Sequence, residues 1–285
     1  MKDIFIVSRK RADTPITWNA FPDKYKERTK FVVWEDDAQD YISAFGKENV
    51  EVISLSRTDK KDIHLGTKRN HIYYKFMHPH IVFDDDIEIT KRSFNLPEKR
   101  PPTFVNEPME EEDYDCFFDD MFNIPTKQPG YNWGGVLFNT VVPTLKDDKK
   151  FSEFIFGRVA AVFYFNRPVL PNNIDFAKFP LAEDMYLNIE LNLQGFPSGV
   201  YQKYTLNIIS PFNENGGCSV YRTIDYERRV NEDLKKTYPK YVKLKNIVQN
   251  KGIEKGKNRC VVVLYRKKAY NDYLKRNKPN KLIIS

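Results

Sequence analysis

The sequence predicts an α/β protein: a mixed, mainly parallel sheet flanked by helices, followed by a basic, helical C-terminal extension. Three observations carry this. Short, continuously apolar runs rich in Ile, Val and Phe alternate with helix-patterned stretches through the first third of the chain, as strands covered on both faces do. Such strand–helix–strand alternation requires crossovers, and so parallel pairing. Charge is also unevenly spread: residues 221–285 hold 19 Lys/Arg and 6 Asp/Glu, a balance of +13, against −6 for the first 220 residues.

The elements follow in order. Ile4-Phe5-Ile6-Val7 reads as a buried strand ended by Ser8-Arg9-Lys10-Arg11, and Lys30-Phe31-Val32-Val33-Trp34 as a second ended by Glu35-Asp36-Asp37. Tyr41, Ile42 and Phe45 recur at helical spacing between Ala38 and Gly46, with the glycine as the stop. Val50-Glu51-Val52-Ile53 is a third strand, and a helix from Thr67 to Met77 turns Ile72, Tyr73 and Phe76 inward. His80-Ile81-Val82-Phe83 is a fourth strand, running into Asp84-Asp85-Asp86. From Leu96 to Pro129 the many prolines and an eight-acid run, Glu107 to Asp120, predict a solvated loop kept away from any bound polyanion. Beyond Tyr221, Pro239 is placed to open a helix from Lys240 to Asn250, and Cys260 to Tyr265 form a late strand. This divides the chain into a catalytic domain, 1–220, and a basic extension, 221–285, packed on it or continuing it.

Composition excludes several classes. With 285 residues, 41% hydrophobic, 21 Phe and 17 Tyr, the chain can fill a sizeable core and is neither disordered nor fibrous. The densest apolar stretch, Val159 to Phe165, falls far short of the ~20 residues that span a bilayer. The N-terminus lacks a signal-peptide core, so a cytoplasmic protein is expected. Cys116, Cys218 and Cys260 are odd in number and form no CxxC pair, which supports neither a structural zinc site nor a disulfide framework. No P-loop is present.

Three of the four strands end in charged clusters, where open α/β sheets bind ligands. Three adjacent carboxylates repel one another unless a cation offsets them. In an extended segment Asp84 and Asp86 share a side, and two hard oxygen ligands one residue apart suit Mg²⁺ or Mn²⁺, completed by water and phosphates. Lys68 and Arg69 either pair with a diphosphate or lie on an exposed helix face. Ser8 and Arg9 either contact a nucleoside or are a solvated strand end. Trp133-Gly134-Gly135 either gives an aromatic wall with close backbone approach to a sugar, or packs in the core while the glycines turn the chain. Asp184, its proton affinity tuned by Glu183, is either a general base or an acid favoured by a helix N-terminus.

These motifs, in this order, resemble glycosyltransferases of the GT-A fold, a Rossmann-like architecture. The resemblance implies that Asp84-Asp85-Asp86 is the strand-terminal Asp-x-Asp holding a divalent cation on a UDP-sugar. It makes Gly66-Thr67-Lys68-Arg69-Asn70 the Gly…Arg-Asn element of the donor site, Glu35 or Asp36 the acid that reads the base, and Asn132-Trp133-Gly134-Gly135 the segment facing sugar and acceptor. It also makes Glu183-Asp184 the acidic motif whose second member is the base. More narrowly, Ser8-Arg9-Lys10-Arg11, Lys68-Arg69-Asn70, Phe83-Asp84-Asp85-Asp86-Ile87 and Ala182-Glu183-Asp184-Met185-Tyr186 resemble the TET-associated glycosyltransferases of bacteriophages. That likeness implies transfer of a sugar to 5-hydroxymethylcytosine or 5-hydroxymethyluracil in phage DNA. The base would be flipped or single-stranded, and the basic extension would sit on phosphates. One feature departs from the GT-A pattern: His64, His71, His78 and His80 all precede the triple aspartate, so no late histidine can be a third metal ligand, and water, phosphate or a late acid such as Asp225 must serve. The alternatives are a GT-A enzyme with a saccharide, lipid-linked or protein acceptor, and a metal-dependent nuclease.

Overall fold

A computed structural model describes residues 3–54, 64–95, 103–143, 152–208, 222–249 and 255–277. The four expected strands are β1 (Ile4–Val7), β2 (Thr29–Trp34), β3 (Val50–Ile53) and β4 (His80–Asp84). Between β1 and β2 lie the short helices α1 (Ile16–Ala20) and α2 (Asp23–Lys26); α3 (Ala38–Phe45) precedes β3, and α4 (Leu65–Lys75) precedes β4. The chain continues through β5 (Ile87–Asn95), β6 (Thr103–Pro108), α5 (Glu111–Phe122), α6 (Ile124–Lys127), β7 (Trp133–Phe138), β8 (Phe154–Phe156), β9 (Val162–Phe165), α7 (Glu183–Leu193) and β10 (Gly199–Ile208). It ends with α8 (Ile224–Thr237), β11 (Val242–Val248), β12 (Asn258–Leu264) and α9 (Arg266–Arg276).

Among the described residues the strands form a ten-stranded sheet, β3-β2-β1-β4-β9-β7-β10-β5-β6 with β8 on β10, and a separate β11-β12 hairpin. The strands from β3 to β4 run parallel, and β9 is antiparallel to both β4 and β7. The protein is thus mixed α/β, with a mainly parallel central sheet flanked by helices. The chain runs from β1 outward to β3, then returns to place β4 on the other side of β1. The ends of β1 and β4 are therefore a topological switch point, where such sheets form ligand crevices.

Alternation along each strand feeds two cores. Phe5, Val7, Val32, Trp34 and Val82 pack with Ile72 and Tyr73 of α4 and Leu187 and Leu191 of α7. Ile4, Ile6, Phe31, Val33 and Phe83 pack on the opposite face with Tyr41 of α3 and Phe117, Phe118 and Met121 of α5. No helix among the described residues is long and apolar enough to cross a membrane.

Two expectations require correction. The stretch from Leu96 to Pro129 is not a continuous loop: it contains β6, α5 and α6, and the acid run is mostly helix. Glu111, Glu112 and Asp113 occupy the first turn of α5, where the helix dipole favours them, and Tyr114, Phe117, Phe118 and Met121 make one buried stripe. Its acids also find bases elsewhere in the chain: Lys91 reaches Asp113 at 2.8 Å, and Lys127 and Lys203 reach Asp120 at 2.6 and 2.7 Å. The second correction concerns Lys240 to Asn250. Tyr238 to Tyr241 turn the chain, and alternating Val242 and Leu244 then form β11 in register with β12. The extension is a helix, a hairpin and a helix. It packs on α7: Val230, Leu234, Tyr238 and Val242 join the α7 core, and the Tyr238 hydroxyl donates to Glu190 at 2.6 Å. Cys218 lies outside the described residues; Cys116 and Cys260 are free thiols.

His80, wholly buried between Phe5 and Phe165, has its pKa pushed down to about 4, first by burial. Because the folded value lies below the unfolded one near 6.5, stability is complete above pH 6.5 and is lost as pH falls toward 4, by about 3 kcal/mol. His80→Phe is expected to flatten that part of the acid limb in urea denaturation followed against pH.

Candidate active site

The switch point is built from three strand ends. β1 stops at Ser8, which is buried; its hydroxyl meets the Tyr41 hydroxyl and donates to Asp85, while the Ser8 carbonyl accepts from Lys68. The Arg9 guanidinium bridges to β2 with a paired contact to Asp36 at 2.8 and 2.9 Å. Arg11 turns back to Asp85 at 2.5 Å and Asp86 at 3.0 Å. Thr17 braces the aspartate turn: its hydroxyl donates to the Asp84 carbonyl at 2.7 Å and accepts from the Ile87 amide at 3.0 Å.

Asp84 ends β4 and Asp85-Asp86 form a turn, not the extended segment expected. The three carboxylates accordingly separate. Asp85 faces inward, buried, and is consumed by Ser8 and Arg11. Asp84 and Asp86 keep 25% and 20% side-chain exposure. Burial pushes Asp84 up to about 7 despite Arg69, with Asp86, Glu183 and Asp85 adding to the rise. Asp86 is raised too, by burial and then by Asp85.

Arg69 of α4 joins the halves of the site. One guanidinium nitrogen donates to Asp84 and another to Glu183, and the plane lies over Phe163 at 4.5 Å from the ring centroid. Arg69 and Lys68 are 3% and 2% exposed, so the alternative of an exposed helix face does not hold. Gly66 permits the approach of α4 that this needs, since a Cβ there would fall 2.2 Å from the Phe176 carbonyl oxygen. Asn70 then fixes the turn at Phe176, accepting from its amide at 2.8 Å and donating to Asp175 at 2.7 Å.

Glu183 and Asp184 open α7, in the first turn. Burial raises Glu183, against the pull of Arg69. Asp184 accepts from Arg158 at 2.6 Å and from the Met185 amide at 2.8 Å. The structure therefore brings together Ser8, Arg9, Asp36, Lys68, Arg69, Asn70, Asp84, Asp85, Asp86, Glu183 and Asp184, with Glu35 exposed at the end of β2.

It does not bring Trp133, Gly134 and Gly135 to that edge. Trp133 is fully buried in β7, its indole N–H donating to the Phe196 carbonyl at 2.9 Å, so it presents no wall to a sugar. The glycines serve strand packing: a Cβ would lie 2.8 Å from the Gly199 carbonyl oxygen at Gly134 and 2.4 Å from that of Val162 at Gly135. This correction selects the core alternative. Side chains that pattern reasoning passed over are Arg11, Thr17, Tyr41 and Arg158. Arg11 sat inside a motif already singled out and Tyr41 was assigned to an apolar face; Thr17 and Arg158 carried no signal.

Among the described residues no three Asp, Glu, His or Cys side chains converge on one metal position. The partly open pair Asp84 and Asp86 nonetheless suits a hard cation completed by water and phosphate. No family model matches the chain, and no curated protein matches it.

Arg69→Met leaves two buried carboxylates uncompensated and is expected to destabilise the fold by about 3–5 kcal/mol in urea denaturation at neutral pH, less below pH 5 where both acids protonate. Gly135→Ala is expected to cost about 1–3 kcal/mol through overpacking alone. A Gly135→Ala protein as stable as the parent would show that β7 and β9 have slack that their spacing denies.

Proposed function

We propose that the protein is a glycosyltransferase that moves a sugar from a UDP-sugar to the hydroxymethyl group of a modified pyrimidine in DNA. The observation that carries this is the Arg69 bridge, which sets a strand-end acid, Asp84, against a helix-opening pair, Glu183-Asp184, at the switch point of the sheet. The arrangement supports a donor on the Asp84 side and an acceptor on the Asp184 side.

Asp84 and Asp86 would hold Mn²⁺ or Mg²⁺, which supplies charge neutralisation to the departing diphosphate. Ser8, Arg9, Glu35 and Asp36 line the side where a nucleoside would lie. Arg9 is held flat by its paired contacts to Asp36, an orientation suited to stacking or to hydrogen-bonding a base. Asp184 would accept the proton of the attacking hydroxyl, with Arg158 keeping its carboxylate oriented. A direct attack of this kind inverts the anomeric centre. The extension supplies positive charge for a nucleic acid, whose phosphates make affinity fall steeply with salt.

The test is the intact mass of a hydroxymethylcytosine oligonucleotide after incubation with the protein, Mn²⁺ and pooled UDP-sugars. A mass increase of one pentose or hexose is expected, and it should vanish in Asp86→Asn while the fold persists. Calorimetry of UDP with and without Mn²⁺ checks the donor half on its own, with tighter binding expected when the cation is present. Absence of UDP binding would overturn the assignment. UDP binding without oligonucleotide modification would transfer the reaction to a saccharide, lipid-linked or protein acceptor.

A further inference from the structure

The carboxylates around the start of α7 are nearly all taken. Arg69 is matched by Asp84 and Glu183, Arg222 by Glu227 (which also pairs with Arg259), and Arg158 by Asp184. One further arginine, from the extension, comes to the same place. α9 lies alongside α7 and runs parallel to it: at the far end Arg276 donates to the Leu193 carbonyl at 3.3 Å, and the Tyr273 ring packs on Gly195. Midway, Tyr270 meets Phe156 with ring centroids 6.2 Å apart, two residues before Arg158. Arg266 is ten residues, or about 15 Å of helix, before Arg276, just as Glu183 is before Leu193. It therefore stands level with Asp184 and beside Arg158.

Among the described residues Arg266 makes no ion pair, and its Nε is buried without an acceptor. Its pKa is pushed down to about 10, first by burial and then by the positive charge of Arg158. Two adjacent guanidiniums sharing one carboxylate leave one positive charge, partly out of water and unmatched. That arrangement is costly unless an anion joins it. A phosphodiester carries a single negative charge and presents two oxygens to a guanidinium fork, so it matches the charge left over. A nucleoside diphosphate carries more charge and has the Asp84–Asp86 side to neutralise it.

We propose that Arg158 and Arg266 form a binding site for one phosphodiester of a single-stranded nucleic acid, placed beside Asp184. The inference rests on reading the Asp184 side as the acceptor side. It gives the extension a defined role: α9 completes the site with Arg266, and the exposed Lys267 and Lys268 continue the positive track outward. The phosphate held there anchors the strand next to the nucleotide that reaches the base.

The experiment measures anisotropy of a short fluorescein-labelled single-stranded oligonucleotide containing hydroxymethylcytosine, titrated with the full-length protein over a range of salt. Loss of one phosphate contact reduces the slope of log affinity against log salt by about 0.7. Arg266→Gln is expected to show that reduction with an affinity loss of about tenfold, while Arg266→Lys recovers the slope but only part of the affinity. Calorimetric UDP affinity should be the same in all three proteins, which separates this site from the donor site. Three outcomes overturn the proposal: oligonucleotide binding and slope unchanged in Arg266→Gln, a fall in UDP affinity instead, or an Arg266-dependent affinity for phosphatidylserine vesicles that exceeds the affinity for the oligonucleotide. Failure of the wild-type protein to bind UDP would remove the glycosyltransferase reading and leave the oligonucleotide result standing by itself.

Discussion

The architecture of the site depends on one buried guanidinium. Arg69 ties the end of β4 to the start of α7 by contacting Asp84 and Glu183, which are far apart in the sequence. Two carboxylates taken this far from water would otherwise repel each other and protonate. Placing a delocalised cation between them converts a repulsion into the contact that seats α7 on the sheet. Hydrophobic replacement would give equal or better stability, since desolvating ions is expensive. What the bridge supplies instead is position: it fixes the register of a strand end against a helix start, with Phe163 limiting where the guanidinium can go.

The same device recurs outward from that bridge. Arg11 lies across Asp85 and Asp86, and Arg9 across Asp36. Each acid that the sheet gathers at its switch point is met by an arginine from the loop after β1 or from α4, so the triple aspartate does not require a metal ion to fold. Only Asp84 and Asp86 retain open surface, because the turn at Asp85-Asp86 rotates the middle carboxylate inward to Ser8 and Tyr41. The internal counter-ions leave a pair of partly solvated oxygens at the surface, which is the minimum a hexacoordinate cation needs from the protein when its ligand supplies phosphates.

Much of this was legible in the sequence. The first four strands, α3 and α4 follow from apolar runs and helical spacing, and β1 and β3 begin and end at the residues expected. The convergence of Ser8, Asp36, Arg69 and Asp84 follows from parallel pairing, which aligns strand ends. α5 was misread because its acids and the surrounding prolines outweighed the spacing of Tyr114, Phe117, Phe118 and Met121. Trp133-Gly134-Gly135 was ambiguous for a physical reason: a glycine that admits a ligand and one that admits a neighbouring strand look alike until the strand order is known. β11 was hidden by Pro239, which opens a helix or closes a turn with equal ease. Arg158 and Arg266 had no local pattern at all, since their proximity arises from the parallel packing of α7 and α9.

That packing also orders charge across the molecule. α5, with its acids, covers one face of the sheet through Tyr114, Phe117 and Phe118; α7 and the extension cover the other through Leu187, Leu191, Val230 and Leu234. The sheet therefore separates an acidic helix from a basic module by the thickness of the core, and the site opens at the strand ends between them. Within a Debye length of about 8–10 Å, a phosphate approaching Asp184 is influenced by α9 far more than by α5. A polyanion is thus steered to the α7–α9 side, and its phosphates meet Arg266 before they meet the carboxylates of the triple aspartate. A neutral acceptor would gain nothing from this separation, so the placement of charge favours an anionic one.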